Sequence, residues 1–219
     1  MCYNLKMRYP NFNEEKKLWK KGYKRVAGLD EAGRGPLAGP VAAAAVLINS
    51  KLQSKIKNLK ANDSKKLSAG QREKLYKILT LHPGIWWGIG IVSEKVIDKI
   101  NILEATKLAM VRAIAKLKEK REKRKIDFLI LDGKMSLNLP IPQKSIIKAD
   151  GKVFSCAAAS ILAKVARDRI MARYHKKYPQ YRFDLHKGYG TKLHIKLLKK
   201  HGPCKIHRRS FAPIKMYNS

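Results

Sequence analysis

Asp30 and Glu31 stand side by side behind a short apolar run, Val26–Leu29, and just ahead of Gly33-Arg34-Gly35-Pro36 and Gly39-Pro40. Successive side chains of a strand point to opposite faces, so two adjacent carboxylates serve one centre only where a strand ends. The glycines supply such an ending, because they accept backbone conformations that residues with a Cβ resist. They also let the backbone approach a ligand closely, and an arginine between two of them suits a phosphate or a polynucleotide. Two further runs end in acid: Phe128-Leu-Ile-Leu at Asp132, and Ser145-Ile-Ile-Lys-Ala at Asp150. Four carboxylates brought to one edge repel each other unless a cation sits among them. Oxygen ligands without a Cys/His set point to Mg²⁺ or Mn²⁺ rather than zinc. Two such ions about 4 Å apart can activate a water and stabilise a leaving oxygen in phosphodiester hydrolysis. The residues alone therefore reach as far as a metal-dependent nuclease.

The elements that must bring these acids together are legible as periodicity. Strands are predicted over Val26–Asp30, Val41–Ile48, Ile85–Val92, Phe128–Asp132 and Ser145–Asp150, the second antiparallel to the first across the glycine-proline turn. Trp86 and Trp87 fall inside the third and read as core and its cover. A helix is expected around Glu14–Lys21, and Ser68 with Gln71 forms a capping box for another reaching about Thr80. Ser93 to about Lys123 is helical, with a break at Asn101, which with Glu104 repeats the N-cap signature. A helix from about Ser155 to His175 places Ala158, Ile161, Leu162, Val165 and Ala172 on one face. A last helix falls near Lys192–His201. Strands first, then strands alternating with helices, predict an α/β fold with a mixed sheet, whose sites form where strands end. The chain divides into a basic N-terminal extension, 1–24, a catalytic domain, 25–178, and a helical and loop region, 179–219, that contributes to substrate binding.

Charge narrows the partner. Among 219 residues, 49 Lys+Arg against 16 Asp+Glu give a net charge of +33, a surface that attracts polyanions, nucleic acid first. Hydrophobic content of 45% excludes a disordered basic tail and supports a cored domain. Cys2, Cys156 and Cys204 are too few and scattered for a disulfide framework. The longest apolar run, Val41–Ile48, is far short of a membrane span, and no signal-peptide core opens the chain. A soluble, cytoplasmic protein is expected.

The motif Val26-Ala-Gly-Leu-Asp-Glu-Ala-Gly-Arg-Gly-Pro-Leu-Ala-Gly-Pro40 resembles the opening motif of the ribonuclease HII family, the type 2 ribonucleases H. Further motifs follow in that family's order: Asn62-Asp-Ser-Lys-Lys-Leu-Ser68, Asn101-Ile-Leu-Glu-Ala-Thr106, Leu131-Asp-Gly133 and Lys148-Ala-Asp150. After them come Ala157-Ala-Ala-Ser-Ile-Leu-Ala-Lys-Val165, His186-Lys-Gly-Tyr-Gly-Thr191 and His207-Arg-Arg-Ser-Phe211, so that the resemblance covers about residues 24–215. It implies the ribonuclease H-like fold, a five-stranded mixed sheet flanked by helices. It also implies cleavage of the RNA strand of RNA–DNA hybrids and nicking of DNA duplexes 5′ to embedded ribonucleotides, leaving 5′-phosphate and 3′-hydroxyl ends. By resemblance, Asp30, Glu31, Asp132 and Asp150 are metal-binding catalytic carboxylates. Gly33-Arg34-Gly35 then reads the ribose 2′-hydroxyl and holds phosphates, and Tyr189 packs on the ribose at the RNA–DNA junction.

Ser64, Lys65 and Lys66 are candidates for backbone phosphates, and Arg208 and Arg209 for the DNA strand. His201, Cys204 and His207 invite a zinc reading, but three local ligands without a paired Cys-x-x-Cys do not complete a tetrahedron. Cys156, among alanines, reads as a small core residue. Asp168, between Arg167 and Arg169, reads as an ion pair on a helix surface. Two alternatives stay open: another ribonuclease H-like nuclease, such as type HIII or a resolvase, and a basic nucleic-acid-binding protein with structural carboxylates. A monomer is expected.

Overall fold

The computed structural model describes residues 9–50, 67–119 and 125–217. Ser64, Lys65 and Lys66 lie outside them. The expected five-stranded mixed sheet is present: β1 (Val26–Ala32), β2 (Val41–Ile48), β3 (Ile85–Val92), β4 (Phe128–Asp132) and β5 (Gln143–Ile146), in the order β3-β2-β1-β4-β5. β1 pairs antiparallel with β2 and β2 with β3, whereas β4 runs parallel to β1 and β5 parallel to β4.

Helices cover both faces. α1 (Asn13–Lys20) precedes β1, α2 (Ala69–Leu81) leads into β3, and α3 (Glu94–Glu119) follows it. α4 (Phe154–Lys177) is the long helix after β5, and α5 (Phe183–His186) and α6 (Lys192–His201) complete the C-terminal region. Strand alternation sorts the core. Ala27 and Leu29 of β1 with Ala43 and Ala45 of β2 pack on Ala105, Ala109 and Ala113 of α3. On the other face Ala44, Val46 and Ile48 pack on Ala157, Ile161 and Val165 of α4. Alanine on both partners lets sheet and helix backbones approach closely, a packing that leaves little room for added volume.

The caps behave as read. Ser68 accepts from Gln71 N and Gln71 reaches back to Ser68 N, closing the capping box. α3 breaks at Asn101, whose φ of 65° is non-helical and whose Oδ1 accepts from Leu103 N and Glu104 N. Trp86 packs against one core cluster and Trp87 against the other.

Three expectations are corrected. Ala172 is exposed, because α4 by then has run past the sheet it covers. β1 continues two residues beyond Asp30, held by β2 through Glu31↔Ala43 and Ala32↔Ala42. β5 stops at Ile146, and Asp150 lies not on a strand but in a 3₁₀ turn, Ala149–Gly151, entered through Lys148 in the left-handed region at φ 57°.

Residues 11–20 join the same core. Phe12 stacks on Phe154 with ring centroids 4.5 Å apart, and buried Glu15 accepts from both the N–H and the hydroxyl of Ser155, capping the start of α4. Burial raises the Glu15 pKa above the ordinary carboxylate range.

Candidate active site

The register of the two central parallel strands builds the site. Pairing of β1 with β4 ends at Leu29↔Leu131, and the next residues, Asp30 and Asp132, therefore emerge at the same edge of adjacent strands. Asp132 Oδ1 accepts from Ala149 N at 2.8 Å, which anchors the 3₁₀ turn and carries Asp150 to that edge. One carboxylate oxygen from each of Asp30, Asp132 and Asp150 lies within 4.8 Å of the others. Among the described residues no other group of three His, Cys, Asp or Glu side chains gathers this closely.

Asp30 sits deepest. Burial, then the charges of Glu31 and Asp132, hold its pKa well above the usual carboxylate value, against the opposing hydrogen bonds from Ser160 and from Glu31 N. Such a group is costly to ionise without a counter-charge, and bound cations invert this local logic. Three converging carboxylates with no nitrogen or sulfur donor among them form an oxygen set of the kind hard divalent cations prefer, so the residues present fit such an ion.

Glu31 lines the same cleft, of about 220 Å³, but stands outside the close triad. Its Oε1 lies 3.4 Å from Arg34 Nη1, a partly exposed pair. Asp30 turns toward Ser160 of α4, whereas its neighbour Glu31, still paired with Ala43 of β2, lines the cleft near the end of the strand. Gly33, Arg34 and Gly35 form one wall of the cleft and Tyr189 another. Gly33 has φ +101°, and a Cβ there would fall 2.2 Å from Arg167 Nε, so this position admits only glycine. Tyr189 is 41% exposed, with Arg167 Cζ 5.7 Å and Lys164 Nζ 5.8 Å from its ring centre.

Ser160 and Lys164 went unassigned in the sequence. Both fall inside Ala157–Val165 one helical turn apart, facing the cleft from α4. That i, i+4 spacing behind a carboxylate-bearing strand was the available signal. Lys164 pairs with Asp168 at 2.8 Å. Asp168 thus makes the ion pair expected on the helix, with Lys164 as its partner; of the flanking arginines, Arg169 binds Glu73, and Arg167 is buried against Pro40 O and Ala38 O.

The expectation that Arg208 contacts DNA is overturned. Arg208 is 0% exposed, and its guanidinium donates to the carbonyls of Gly33, Arg34, Gly39 and Pro40. Burial lowers its pKa to about 9, which leaves it charged at neutral pH. Arg209 is exposed, its backbone N–H held by Asp98. His201 is exposed, and His207 instead meets His194, Nε2 to Nε2 at 3.1 Å. Cys156 is fully buried, its thiol pKa raised by that burial. A larger groove, about 520 Å³, runs between α1 and β5, but its one carboxylate, Glu14, is already paired with Lys17 and Lys144. Size does not identify the chemistry here; carboxylate convergence does.

Comparison with known proteins gives the family and the fold. A family profile described as Ribonuclease HII matches residues 27–214. A ribonuclease HII of Caldanaerobacter subterraneus subsp. tengcongensis is 53% identical over 197 residues, spanning 90% of this chain and 78% of that one. Ribonuclease H2 from Pyrococcus horikoshii OT3 superposes with a TM-score of 0.69 at 27% identity, covering 88% of this chain and 96% of its own. Bst-RNase HIII, solved in complex with Mn2+, superposes at 0.72 over 89% of this chain and 69% of its own, and at 17% identity shows a shared fold alone.

Proposed function

The chain belongs to the ribonuclease HII family, and from that we propose that Asp30, Glu31, Asp132 and Asp150 are its catalytic, metal-holding residues. The protein is an endonuclease that hydrolyses the RNA strand of RNA–DNA hybrids and nicks DNA duplexes 5′ to embedded ribonucleotides, with divalent-metal dependence. The observation that carries the assignment is the convergence of Asp30, Asp132 and Asp150 oxygens within 4.8 Å, with Asp30 and Asp132 lining the cleft that also holds Gly33–Gly35 and Tyr189.

In this reading Asp30 is the central ligand, with Asp132 and Asp150 beside it and Glu31 approaching from the last paired residues of β1. Mg²⁺ or Mn²⁺ bound there supplies an activated water and charge stabilisation for the leaving oxygen. Ser160 orients the Asp30 carboxylate by its hydrogen bond. Gly33-Arg34-Gly35 reads the 2′-hydroxyl, the group that separates RNA from DNA, with backbone groups. Tyr189 packs on the ribose at the junction, its partly exposed ring backed by buried Arg167 and by Lys164. Products carry 5′-phosphate and 3′-hydroxyl ends. Arg209, with Ser64, Lys65 and Lys66, contacts the nucleic-acid backbone. Residues 25–178 form the catalytic unit, and 179–219 contribute to substrate binding. No helix among the described residues is long and apolar enough to cross a membrane. We place a monomeric enzyme in the cytoplasm.

A DNA duplex carrying one ribonucleotide, incubated with Mg²⁺ or Mn²⁺, tests the assignment. A nick 5′ of the ribonucleotide, lost with EDTA and reduced by about 10³-fold or more in Asp30→Asn, is expected. Undiminished nicking by Asp30→Asn would remove Asp30 from the centre.

A further inference from the structure

Ribonucleotide reading by backbone atoms needs a glycine loop held still, yet glycine is the residue least able to hold itself. The structure shows what holds it. Ile206–Arg208 runs beside Leu37–Gly39 as a short antiparallel contact: Gly39 N donates to Ile206 O at 2.8 Å, Arg208 N donates to Leu37 O at 2.9 Å, and Ala38 bridges His207. From this ladder the Arg208 side chain enters the turn between β1 and β2. Its Nη2 donates to Gly33 O at 2.6 Å and Pro40 O at 3.2 Å, Nη1 to Arg34 O at 2.9 Å, and Nε to Gly39 O at 3.0 Å. One planar fork therefore ties both arms of the turn together. Arg167, from α4, adds Pro40 O and Ala38 O from the other side.

The preceding residue does the same for the second wall of the cleft. His207 Nδ1 accepts from Cys204 N at 2.9 Å, so its proton resides on Nε2, facing His194 Nε2 at 3.1 Å. His194 Nε2 is then the acceptor, and its Nδ1–H donates to Tyr189 O at 2.9 Å. A single choice of tautomers satisfies all three contacts. Both rings are held neutral by burial, their pKa values lowered to about 4 for His194 and about 3 for His207. Leu37 N donates to Gly188 O at 2.8 Å, linking the two walls directly.

We propose that His207 and Arg208 are positioning residues that clamp the glycine loop and the Tyr189 loop into one ribonucleotide-reading unit. The proposal rests on the roles given above to Gly33–Gly35 and Tyr189. Neither residue touches substrate: Arg208 acts through carbonyls of the glycine loop, and His207 through His194, which holds the Tyr189 carbonyl. The adjacency explains why a dipeptide from the far end of the chain governs a turn more than 160 residues earlier.

Backbone amide hydrogen exchange on the full chain reads the clamp directly. In Arg208→Gln, exchange at Gly33–Gly35 should accelerate by about tenfold, as expected for loss of a buried hydrogen bond, while β1–β4 keep their protection. His194→Gln should loosen Tyr189 in the same way and leave the glycine loop less affected. With the one-ribonucleotide duplex, kcat/KM for Arg208→Gln should fall about 10–100-fold, chiefly in kcat, since a small misplacement near the reacting centre suffices. Mn²⁺ affinity measured calorimetrically without substrate should not change. Arg208→Lys, which keeps the charge but not the fork, should recover part of the loss. Unchanged exchange at Gly33–Gly35 would overturn the clamp. So would a uniform acceleration across the sheet together with weakened Mn²⁺ binding, which would make Arg208 merely structural. If the unaltered protein failed to nick at a single ribonucleotide, the assigned reading roles would fall, and exchange would still decide the clamp.

Discussion

Two residues whose charges look superficial in the sequence are among the most buried in the fold. Arg167 and Arg208 are both 0% exposed, an arrangement tolerable because backbone carbonyls meet most of their donors, Arg167 Nη1 being left without a partner among the described residues. The buried pair His194 and His207 carries a consequence for acid stability. Burial lowers both pKa values, to about 4 and about 3, beneath the ordinary 6.5 that the unfolded chain shows. Between those limits the unfolded state binds more protons than the folded one, so stability rises with pH. Their contribution is complete above about pH 6.5 and is lost as pH falls toward 4 and then 3. Denaturant unfolding should show a loss of at least about 1.4 kcal/mol between pH 7 and pH 4 from this source, the equivalent of one pKa unit. The slope should flatten in His194→Gln. An equally steep slope in that variant would assign the acid sensitivity elsewhere.

At the scale of elements, close approach of helix to sheet decides tolerance. β3 carries Gly88 and Gly90 where α3 crosses, and a Cβ on Gly90 would lie 2.0 Å from Ala109 O and 2.7 Å from Ala113 N. These are backbone atoms of a helix, so relief requires moving α3 as a body. Gly90→Ala should cost about 1–3 kcal/mol in unfolding free energy, the usual effect of overpacking. Gly70, in the first turn of α2, meets nothing within 4 Å, and Gly70→Ala should stabilise by about 0.4–1 kcal/mol through the unfolded chain. Chemical denaturation of the two variants separates the cases. A neutral Gly90→Ala would mean that α3 rests on the sheet more loosely than its alanine face suggests.

For the molecule as a whole, the +33 charge and the carboxylate edge divide the work. α6 presents Lys192, Lys196 and Lys199 along a groove that begins at Gly190, next to Tyr189. Phosphate neutralisation by such residues releases counterions, so binding weakens linearly in log salt. KM for the one-ribonucleotide duplex should rise at least about tenfold between 50 and 200 mM salt, with kcat at saturation nearly constant. A falling kcat at constant KM would place the salt sensitivity in the catalytic centre instead of the binding surface.

Sequence by itself determined the parts governed by near neighbours. The capping box at Ser68, the break at Asn101, the β1–β2 hairpin and the acid at the end of β4 depend on residues a few positions apart, and each was legible. So was the family, because its motifs keep their order. Only the tertiary structure decided the rest. Asp150 reaches the site from a turn because Ala149 N binds Asp132 Oδ1, a contact 17 residues away. Ser160 joins Asp30 across the sheet–helix interface. Arg208, next to exposed Arg209 in an ordinary basic stretch, is buried because the β1–β2 turn offers it four carbonyls about 170 residues earlier in the chain. Whether a charged side chain faces water or fills the interior depends on the partners that folding brings to it, and no local pattern encodes those.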